Sequence, residues 1–293
     1  AKIDPDTPAL ASLSSYPYAV VFLSDGTRVL GGNFTTIGWT GGSSSRQGIA
    51  FIRPNGTVDT TAPVLRQGTT TSSLGGVRTM VLDNQNRIYV GGVFTYVNGA
   101  GDNNQPMNRL VRLFYNEDNE QWERDPSFNI GTGAASDVRT LVVDGQGRLL
   151  VGGNFTSFNG NSSVKYICRL NSDGSLDDTF SAPDVTASVS QIILLPNGKF
   201  YSIGSKVLLH NADGSTDNSF NASGIVGSRA VVMPDGKLVV AVSSFPYLRR
   251  LNTDGSMDTS FPNTTNLNPI QSGNVSVITL QDDGKLLLGG SFT

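Results

Sequence analysis

The sequence has few of the residues from which catalytic and covalent sites are usually built. It contains one cysteine and one histidine among 293 residues, so it can form neither an intrachain disulfide nor a zinc site of histidines and cysteines. Only three of its 24 acidic residues are glutamates, and all three lie within residues 117–123. Acid–base catalysis would therefore depend on one histidine or on aspartates. We expect a non-enzymatic protein without a cofactor or metal.

Long apolar runs and clustered positive charge are also missing. Apolar runs such as "AVVFL" end far short of the roughly 20 residues that cross a bilayer, which predicts no membrane insertion. The 21 lysines and arginines are scattered singly and the formal net charge is -3, which makes nucleic acid an unlikely partner on electrostatic grounds. The first residues, "AKIDPDTPALASL", show no signal-peptide pattern and no initiating methionine. We expect the chain to be a fragment of a larger protein.

The chain is built instead from two repeated motifs. The first motif is an apolar strand, a turn, a second apolar strand, Gly-Gly and Phe-Thr, as in "VRTLVVDGQGRLLVGGNFT", and it occurs six times with two degenerate copies. The second motif, "RLNSDGSLDDTF", returns as "RLNTDGSMDTSF" and "HNADGSTDNSF", with two looser copies. Self-similarity of this kind predicts a repeat architecture.

Both motifs have the pattern of β-hairpins. Asp-Gly or Asn-Gly between β-branched and aromatic runs predicts a tight two-residue turn, and two hairpins would make a four-stranded sheet. The nearly continuous apolar strands of the first motif predict burial on both sheet faces. Radial packing in a β-propeller covers both faces of every sheet. We therefore predict an all-β protein that forms a single β-propeller of six blades.

The repeats also predict the blade boundaries. The predicted units are residues 18–76, 77–137, 138–188, 189–227, 228–274, and 275–293 together with 1–17. The N-terminal segment would close the last blade, because "IDPDTP" resembles the end of the second motif; an open array cut from a longer protein is the alternative. The Gly-Gly pair is expected to allow close backbone approach or a bulge, and the following Phe to fill space between blades.

The paired motifs "VVDGQGRLLVGGNFT" and "ICRLNSDGSLDDTF" resemble the delta-60 repeats over essentially the whole chain. These are predicted β-propeller units, found mostly in bacterial surface or secreted proteins and in some bacteriophage virion proteins. The resemblance implies an extracellular binding and display module, with a phage tail fibre or baseplate component that contacts the host surface as the first expectation. The alternatives are a bacterial surface or secreted adhesion or scaffold protein, and an Asp-based glycan hydrolase or lyase.

Candidate binding residues come from insertions that follow Phe-Thr in the first three units. We expect these loops to share one rim of the propeller, because only adjacent units carry them. The predicted patch contains Trp39, Asp102, Asn103, Asn104, Asn159 and Asn161. Trp122, in an acidic hairpin, is a further candidate. Flat rings beside short polar side chains suit a surface glycan, a protein or a neighbouring virion subunit, whereas the alternative is that each Trp fills a gap between blades.

Two patterns that suggest chemistry are better explained by structure. The segment "NSDGSLD" alternates oxygen-bearing side chains as a calcium loop does, but no closing Glu follows, so we interpret its aspartates as turn caps. His210 is interpreted as occupying the strand position of Arg169 and Arg250 in the other copies of the second motif, and not as a catalytic base.

Overall fold

The computed structural model describes residues 10–39, 42–67, 76–99, 102–261, 270 and 272–293, with the backbone alone at 10, 11, 99 and 102–106. These residues form strands, turns and loops without a helix, which confirms the all-β prediction. Accordingly, this part of the chain holds no helix that is long and apolar enough to cross a membrane.

The described residues form a succession of short strands. The first half of the chain contains β1 (Leu10–Leu13), β2 (Pro17–Phe22), β3 (Arg28–Gly32), β4 (Thr36–Trp39), β5 (Gly42–Ser45), β6 (Ile49–Ile52), β7 (Val64–Arg66), β8 (Val77–Leu82), β9 (Ile88–Gly92), β10 (Tyr96–Gly99), β11 (Asp102–Pro106), β12 (Leu110–Asn116), β13 (Gln121–Arg124) and β14 (Val138–Val143). The second half contains β15 (Leu149–Gly153), β16 (Ile167–Leu170), β17 (Val189–Leu194), β18 (Phe200–Gly204), β19 (Val207–His210), β20 (Arg229–Val232), β21 (Leu238–Ala241), β22 (Leu248–Leu251), β23 (Gly273–Leu280) and β24 (Leu286–Phe292).

Each copy of the first motif begins a sheet. The strand orders of these sheets are β2-β3-β6, β8-β9-β12-β13, β14-β15-β16, β17-β18-β19, β20-β21-β22 and β23-β24. Two further sheets, β1-β4-β5 and β7-β10-β11, contain the insertions of the first two repeats, and we call them the accessory sheets. The second strands β3, β9, β15, β18 and β21 are almost entirely buried, as their continuous apolar pattern predicts.

The turn inside the first motif has three residues, so the prediction of a two-residue turn was wrong. In the first copy the N–H of Gly26 donates to the carbonyl of Leu23 over 3.0 Å, and the N–H of Leu23 donates to Thr27 over 2.9 Å. Gly26 alone has a positive φ, of 86°, whereas a two-residue type I′ turn needs positive φ at both central residues. The carboxylate of Asp25 accepts the N–H of Thr27 over 2.8 Å, which favours a type I turn followed by a glycine bulge.

The second motif forms a full hairpin only in β12–β13, where four pairs run from Leu113↔Arg124 to Asn116↔Gln121. In the other copies the returning segment pairs with the preceding strand at one residue only. These isolated bridges are Ile52↔Val58, Leu170↔Leu176, His210↔Thr216 and Leu251↔Met257. The prediction of four-stranded sheets is therefore correct for one sheet and wrong for the others. The physical reason is the length of the turn: five residues lie between Leu251 and Met257, whereas ten lie between Leu113 and Arg124 and leave room for further pairs. In both copies an aspartate then turns the chain away from the ladder, as when Asp258 accepts the N–H of Ser260 over 3.0 Å.

The Gly-Gly pair allows two close approaches, as predicted. A Cβ on Gly31 would lie 2.5 Å from Cγ1 of Val77 in the next repeat, so the first glycine makes room for a neighbouring sheet. A Cβ on Gly92 would lie 2.2 Å from the carbonyl oxygen of Gly76, beside a bulge between Val77 and Thr79. The second glycine therefore makes room for the backbone at the start of the first strand of its own hairpin.

The second motif joins successive repeats. The backbone N–H of the residue after its closing Phe donates a hydrogen bond to the backbone carbonyl of the Asp in the second-motif turn of the next repeat. These bonds run from Asn129 to Asp173, from Ser181 to Asp213 and from Asn221 to Asp254. The turn glycine has no room for a side chain there, since a Cβ on Gly255 would lie 2.5 Å from the carbonyl carbon of Asn221. The recurrence of Asp-Gly and Phe thus follows from the joint between repeats.

The chain divides into two compact units. The first comprises Ala1–Val151, Phe155–Val164 and Arg169–Leu176, and the second comprises Gly152–Asn154, Lys165–Cys168 and Asp177–Thr293. In the first unit Phe34 is fully buried among Leu30, Ile37 and other residues of its own repeat. The core of the second unit includes Tyr201, Phe220 and Leu251.

Candidate functional site

A cleft of about 640 Å³ opens in the first unit, among parts of the first two repeats. Its walls come from the first-motif turns that contain Asp25 and Asn86, from the second-motif turn that contains Pro54, and from the β12–β13 hairpin. This volume lies within the range of roughly 300–1,000 Å³ of small-molecule sites. The β12–β13 hairpin is the copy of the second motif with four residue pairs, and the wall of the cleft is formed by the part that the shorter copies do not have.

The deep wall of the cleft is aromatic. Tyr115 and Trp122 are paired across the β12–β13 hairpin, which puts both side chains on one face, and their ring centroids are 5.7 Å apart. The indole of Trp122 also packs on Phe51, with centroids 5.0 Å apart and an angle of 34° between the planes. Trp122 is 7% exposed, whereas Tyr115 is 40% exposed and offers its ring to the opening.

The rim of the cleft carries short polar side chains. Asn86 has a φ of 57° and takes the turn position that Gly26 holds in the first repeat, a backbone conformation that Asn tolerates better than most residues. Its Nδ2 donates to Oγ of Ser24 over 2.7 Å, so that one repeat's turn is joined to the other's. Gln85 lines the same edge. These amides and hydroxyls can donate to and accept from a polar ligand.

Both arginines that line the cleft are neutralised by aspartates. Arg53 pairs with Asp59, with Nη2 and Oδ2 3.2 Å apart, and Arg87 pairs with Asp83, with Nε and Oδ2 2.7 Å apart. Burial by itself would raise the pKa of Asp59, but hydrogen bonds from Thr61 and the charge of Arg53 outweigh it and hold that pKa below its usual value. Asp59 is therefore a fixed anion.

Two glutamates of the same cleft have no such counter-charge. Glu117 and Glu120 lie exposed in the turn between β12 and β13, and neither forms an ion pair with a described residue. The third glutamate, Glu123, accepts hydrogen bonds from the amides of Asn116, over 2.9 Å, and Asn119, over 2.5 Å. Together with Asp25, the two unpaired glutamates give the cleft an excess of negative charge.

The aspartates that suggested a calcium loop act as caps and ion-pair partners. Oδ1 of Asp173 accepts the N–H of Ser175 over 2.9 Å, and Oδ1 of Asp177 accepts the N–H of Thr179 over 3.0 Å. In the next copy, Oδ1 of Asp217 accepts the N–H of Ser219 over 2.9 Å and Oδ2 accepts a proton of the Lys199 ammonium over 2.5 Å. The bonds from Lys199 and Ser219 lower the pKa of Asp217 to about 2. The described residues include no cluster of three or more His, Cys, Asp or Glu side chains that could hold a metal ion.

The structure places the predicted loop residues in the first unit. Trp39 ends β4 in an accessory sheet, where its half-buried ring packs against the cluster around Phe34. Asp102, Asn103 and Asn104 lie on β11 of the other accessory sheet, and their side chains lie outside the described residues.

The remaining two predicted asparagines have turn roles. Oδ1 of Asn159 accepts the N–H of Thr132 over 3.1 Å, and Oδ1 of Asn161 accepts the N–H of Ser163 over 2.9 Å. Trp122 lies in the cleft and not in the accessory sheets, so the structure separates it from Trp39.

The three insertions follow one plan that the sequence did not suggest. Each pairs with the segment that precedes the first strand of its own repeat. The pairs are β4 with β1, β10 with β7, and Phe158 with Ala134. The insertions are thus hydrogen-bonded to the frame and are not free loops.

The interpretation of His210 as an equivalent of Arg169 and Arg250 was wrong by one position. His210 bridges Thr216 as Leu251 bridges Met257, so it replaces a core leucine, and it is fully buried. Its Nδ1 donates to the carbonyl of Gly214 over 2.9 Å, which leaves Nε2 of the neutral ring to accept the hydroxyl of Ser202 over 2.8 Å. Burial lowers its pKa, so the ring remains neutral.

Of the residues proposed from the sequence, Trp122 lines the cleft, and the other lining residues were not among the candidates. Ser24, Gln85 and Asn86 belong to turns that recur in every repeat, and nothing in a single turn marks it as a lining residue. The one available signal was the hairpin "YNEDNEQW", in which two aromatic residues flank the glutamates.

Comparison with known proteins supports a propeller-type repeat. A family described as a domain of unknown function (DUF5122) beta-propeller matches residues 147–180 and 234–261. Each matched segment contains a copy of the second motif. The search among curated proteins gave no match.

Several solved structures share the fold. The extracellular domain of a hybrid two-component system, BT3049 from B. thetaiotaomicron, is 13% identical, with a TM-score of 0.56 over 96% of this chain and 33% of that chain. PorZ, a surface component of the type-IX secretion system of Porphyromonas gingivalis, is 14% identical, with a TM-score of 0.59 over 94% and 38%. Virginiamycin B lyase from Staphylococcus aureus is 12% identical, with a TM-score of 0.53 over 98% and 85%. The chain spans 33% of the first protein and 38% of the second, and the likeness to all three concerns the fold.

Proposed function

We propose that this chain is a non-catalytic binding module of an extracellular assembly, built as a β-propeller of six blades. Part of the N-terminal segment other than β1, which pairs with β4, would close the ring. The observation that carries the proposal is the cleft of the first unit, where an aromatic wall meets a rim of amides, hydroxyls and unpaired carboxylates. That combination suits a polar ligand with a flat or apolar face.

Exposed apolar side chains support the closure. Val20 on β2 is 50% exposed, whereas Leu141 and Ile192, which occupy the same position of later repeats, are 5% and 4% exposed. Phe22 on the same strand is 65% exposed. In the repeat of Leu141 this strand face is covered by the preceding sheet, since a Cβ on Gly91 would lie 3.2 Å from Cδ1 of Leu141. A sheet brought against β2 by closure of the ring would cover Val20 and Phe22 in the same way.

The ionised state of Asp59 argues against that residue as a catalytic acid. Glycan hydrolysis by two carboxyl groups needs one acid whose pKa is raised, so that it can donate a proton near neutral pH. Asp59 in the cleft has a lowered pKa because it is held by Thr61 and Arg53. The Asp-based hydrolase or lyase remains the alternative, since the cleft also contains Asp25, Glu117 and Glu120.

The extracellular setting is supported by the resemblance to delta-60 repeats and by the two similar structures described as an extracellular domain and a surface component. Within that setting we favour a phage tail fibre or baseplate component that contacts the host surface, with a bacterial surface adhesion or scaffold protein as the alternative. The accessory sheets, with Trp39, would then face a surface glycan, a protein or a neighbouring virion subunit.

Adsorption of the fluorescently labelled chain to bacterial cells tests the proposal. Tyr115→Ala removes the exposed ring of the cleft, and Tyr16→Ala removes a ring that is more exposed, at 81% against 40%, and does not line the cleft. We expect the first variant to adsorb more weakly and the second to adsorb as the unchanged chain does. A further variant with the β4–β5 hairpin shortened tests the accessory surface.

Adsorption that survives both Tyr115→Ala and the shortened hairpin would contradict the proposal. Release of reducing ends from cell-surface glycans, lost in Glu117→Gln or Glu120→Gln, would establish the hydrolase instead.

A further inference from the structure

We infer that the cleft of the first unit selects an oligosaccharide with free amino groups over its acetylated counterpart, and that it rejects acidic glycans. This inference rests on the proposed binding function and names the ligand class.

The charge of the cleft gives the sign of the selectivity. Arg53 and Arg87 are already paired with Asp59 and Asp83, so each positive charge is offset by a neighbouring carboxylate. Glu117 and Glu120 are exposed at the opening without an ion-pair partner among the described residues. A ligand ammonium would gain charge-assisted hydrogen bonds there, whereas a ligand carboxylate would be repelled.

The aromatic wall and the polar rim favour a sugar as the bearer of that ammonium. The ring of Tyr115 is 40% exposed, and it offers a flat surface for the apolar C–H face of a pyranose. Ser24 and Asn86 at the rim match hydroxyl groups, which both donate and accept hydrogen bonds.

The size of the cleft argues against a single cationic side chain as the occupant. A volume of about 640 Å³ lies in the range that holds a whole small ligand. One lysine or arginine side chain would leave much of the aromatic wall uncovered. An oligosaccharide covers the wall and the rim together, with its amino groups at the glutamates.

Three oligosaccharides of equal length provide a direct test by isothermal titration calorimetry. The glucosamine tetramer and the N-acetylglucosamine tetramer share one backbone and differ in the charge on nitrogen, and the galacturonate tetramer carries the opposite charge. At pH 5.5 and low salt we expect the glucosamine tetramer to bind on the order of tenfold more tightly than the acetylated tetramer, and added salt to remove the difference. The galacturonate tetramer is expected not to bind.

Variants of the hairpin turn assign the effect to the glutamates. Glu117→Gln/Glu120→Gln is expected to remove the preference for the glucosamine tetramer and to leave the affinity for the acetylated tetramer unchanged. Asp118→Asn removes one negative charge from the same exposed turn but lies outside the cleft lining, and it serves as the control. Because all three side chains are exposed, the variants should fold, which circular dichroism verifies.

The outcomes separate this inference from the proposed function. Equal affinity for the two tetramers, unchanged in the double variant, overturns the selectivity and leaves the binding module intact. Failure of every tetramer to bind a chain whose adsorption to cells still depends on Tyr115 overturns the sugar class alone. Adsorption that does not depend on Tyr115 or the accessory hairpin overturns the proposed function itself.

Discussion

The backbone N–H of Asn221 donates a hydrogen bond to the carbonyl oxygen of Asp254 over 2.7 Å, and this bond joins the end of one repeat to the turn of the next. The turn glycine that follows, Gly255, has a φ of 85° and lies against the backbone of Asn221. Two demands therefore meet at one residue: a left-handed backbone and the absence of a side chain.

Two glycine substitutions separate these demands. Gly284 has a φ of 80° in an equivalent Asp-Gly turn, but a Cβ there would meet nothing within 4 Å. We expect Gly284→Ala to reduce the free energy of unfolding by about 1–2 kcal/mol through backbone strain alone. Gly255→Ala should cost a further ~1–3 kcal/mol because the Cβ overlaps the backbone of Asn221. Urea denaturation measures both, and equal losses would show that the close approach has no energetic role.

Arg112 should be among the most sensitive residues of the first unit. Its side chain is 1% exposed, its Nε lies 2.7 Å from Oδ2 of Asp125, and its guanidinium lies over the ring of Phe128. Arg112→Met leaves the buried carboxylate without its main counter-charge, which is expected to cost about 3–5 kcal/mol.

Arg139→Met is the control for Arg112→Met. Arg139 and Asp137 form a partly exposed pair 3.9 Å apart, so the same change of residue type should cost less than ~1 kcal/mol. Urea unfolding curves for the two variants are expected to differ clearly in midpoint, and coincident midpoints would contradict the structural role of Arg112.

The Ser202 and His210 pair should make stability depend on pH near neutrality. Burial lowers the pKa of His210 in the folded chain, whereas the unfolded chain has a pKa of about 6.5. The unfolded chain therefore binds the proton more readily, so the free energy of unfolding should be complete above about pH 6.5 and decrease as the pH falls below it.

The next repeat shows which apolar residues can replace Ser202 and His210. Val240 and Leu251 occupy the positions of Ser202 and His210 in the next sheet, and both are fully buried. Ser202→Val/His210→Leu should remove the pH dependence at little cost in stability, because both polar partners are replaced together. His210→Leu alone leaves the Ser202 hydroxyl buried without its partner and should be less stable than the double variant. Thermal unfolding between pH 5 and 8 compares the three chains.

Asp217 should contribute a separate pH dependence at lower pH. Its pKa is lowered to about 2 by Lys199 and Ser219, below the ordinary value of 3.8. Its stabilising contribution is therefore complete above about pH 4 and is lost as the pH falls from 4 towards 2. Asp217→Asn should flatten the urea midpoint over that interval. Asp178→Asn, at an exposed position of the preceding second motif, should leave it unchanged.

Which parts of the fold were predictable depends on the range of the interactions involved. The strands and the Gly-Gly approaches could be predicted, because apolar runs indicate burial and a repeated glycine pair indicates a position without room for side chains. The turn type could not, since Asp-Gly suits both a type I′ turn and a type I turn with a glycine bulge. The side-chain bond from Asp25 to Thr27 favours the second.

The cleft was predictable only at Trp122. Its other lining residues are ordinary turn residues, and their contribution depends on which turns the fold brings together. His210 shows the same limit, because its place in the core follows from the bridge to Thr216 and not from its residue type.

The sequence by itself determined the all-β class and the number of repeated motifs, because each of these depends on patterns along the chain. Only the tertiary structure decided that the second motif joins repeats, that the insertions pair with the segments before their own repeats, and that Tyr115, Trp122 and Phe51 form one wall. Those relationships are contacts between segments that lie far apart in sequence, and no local pattern encodes them.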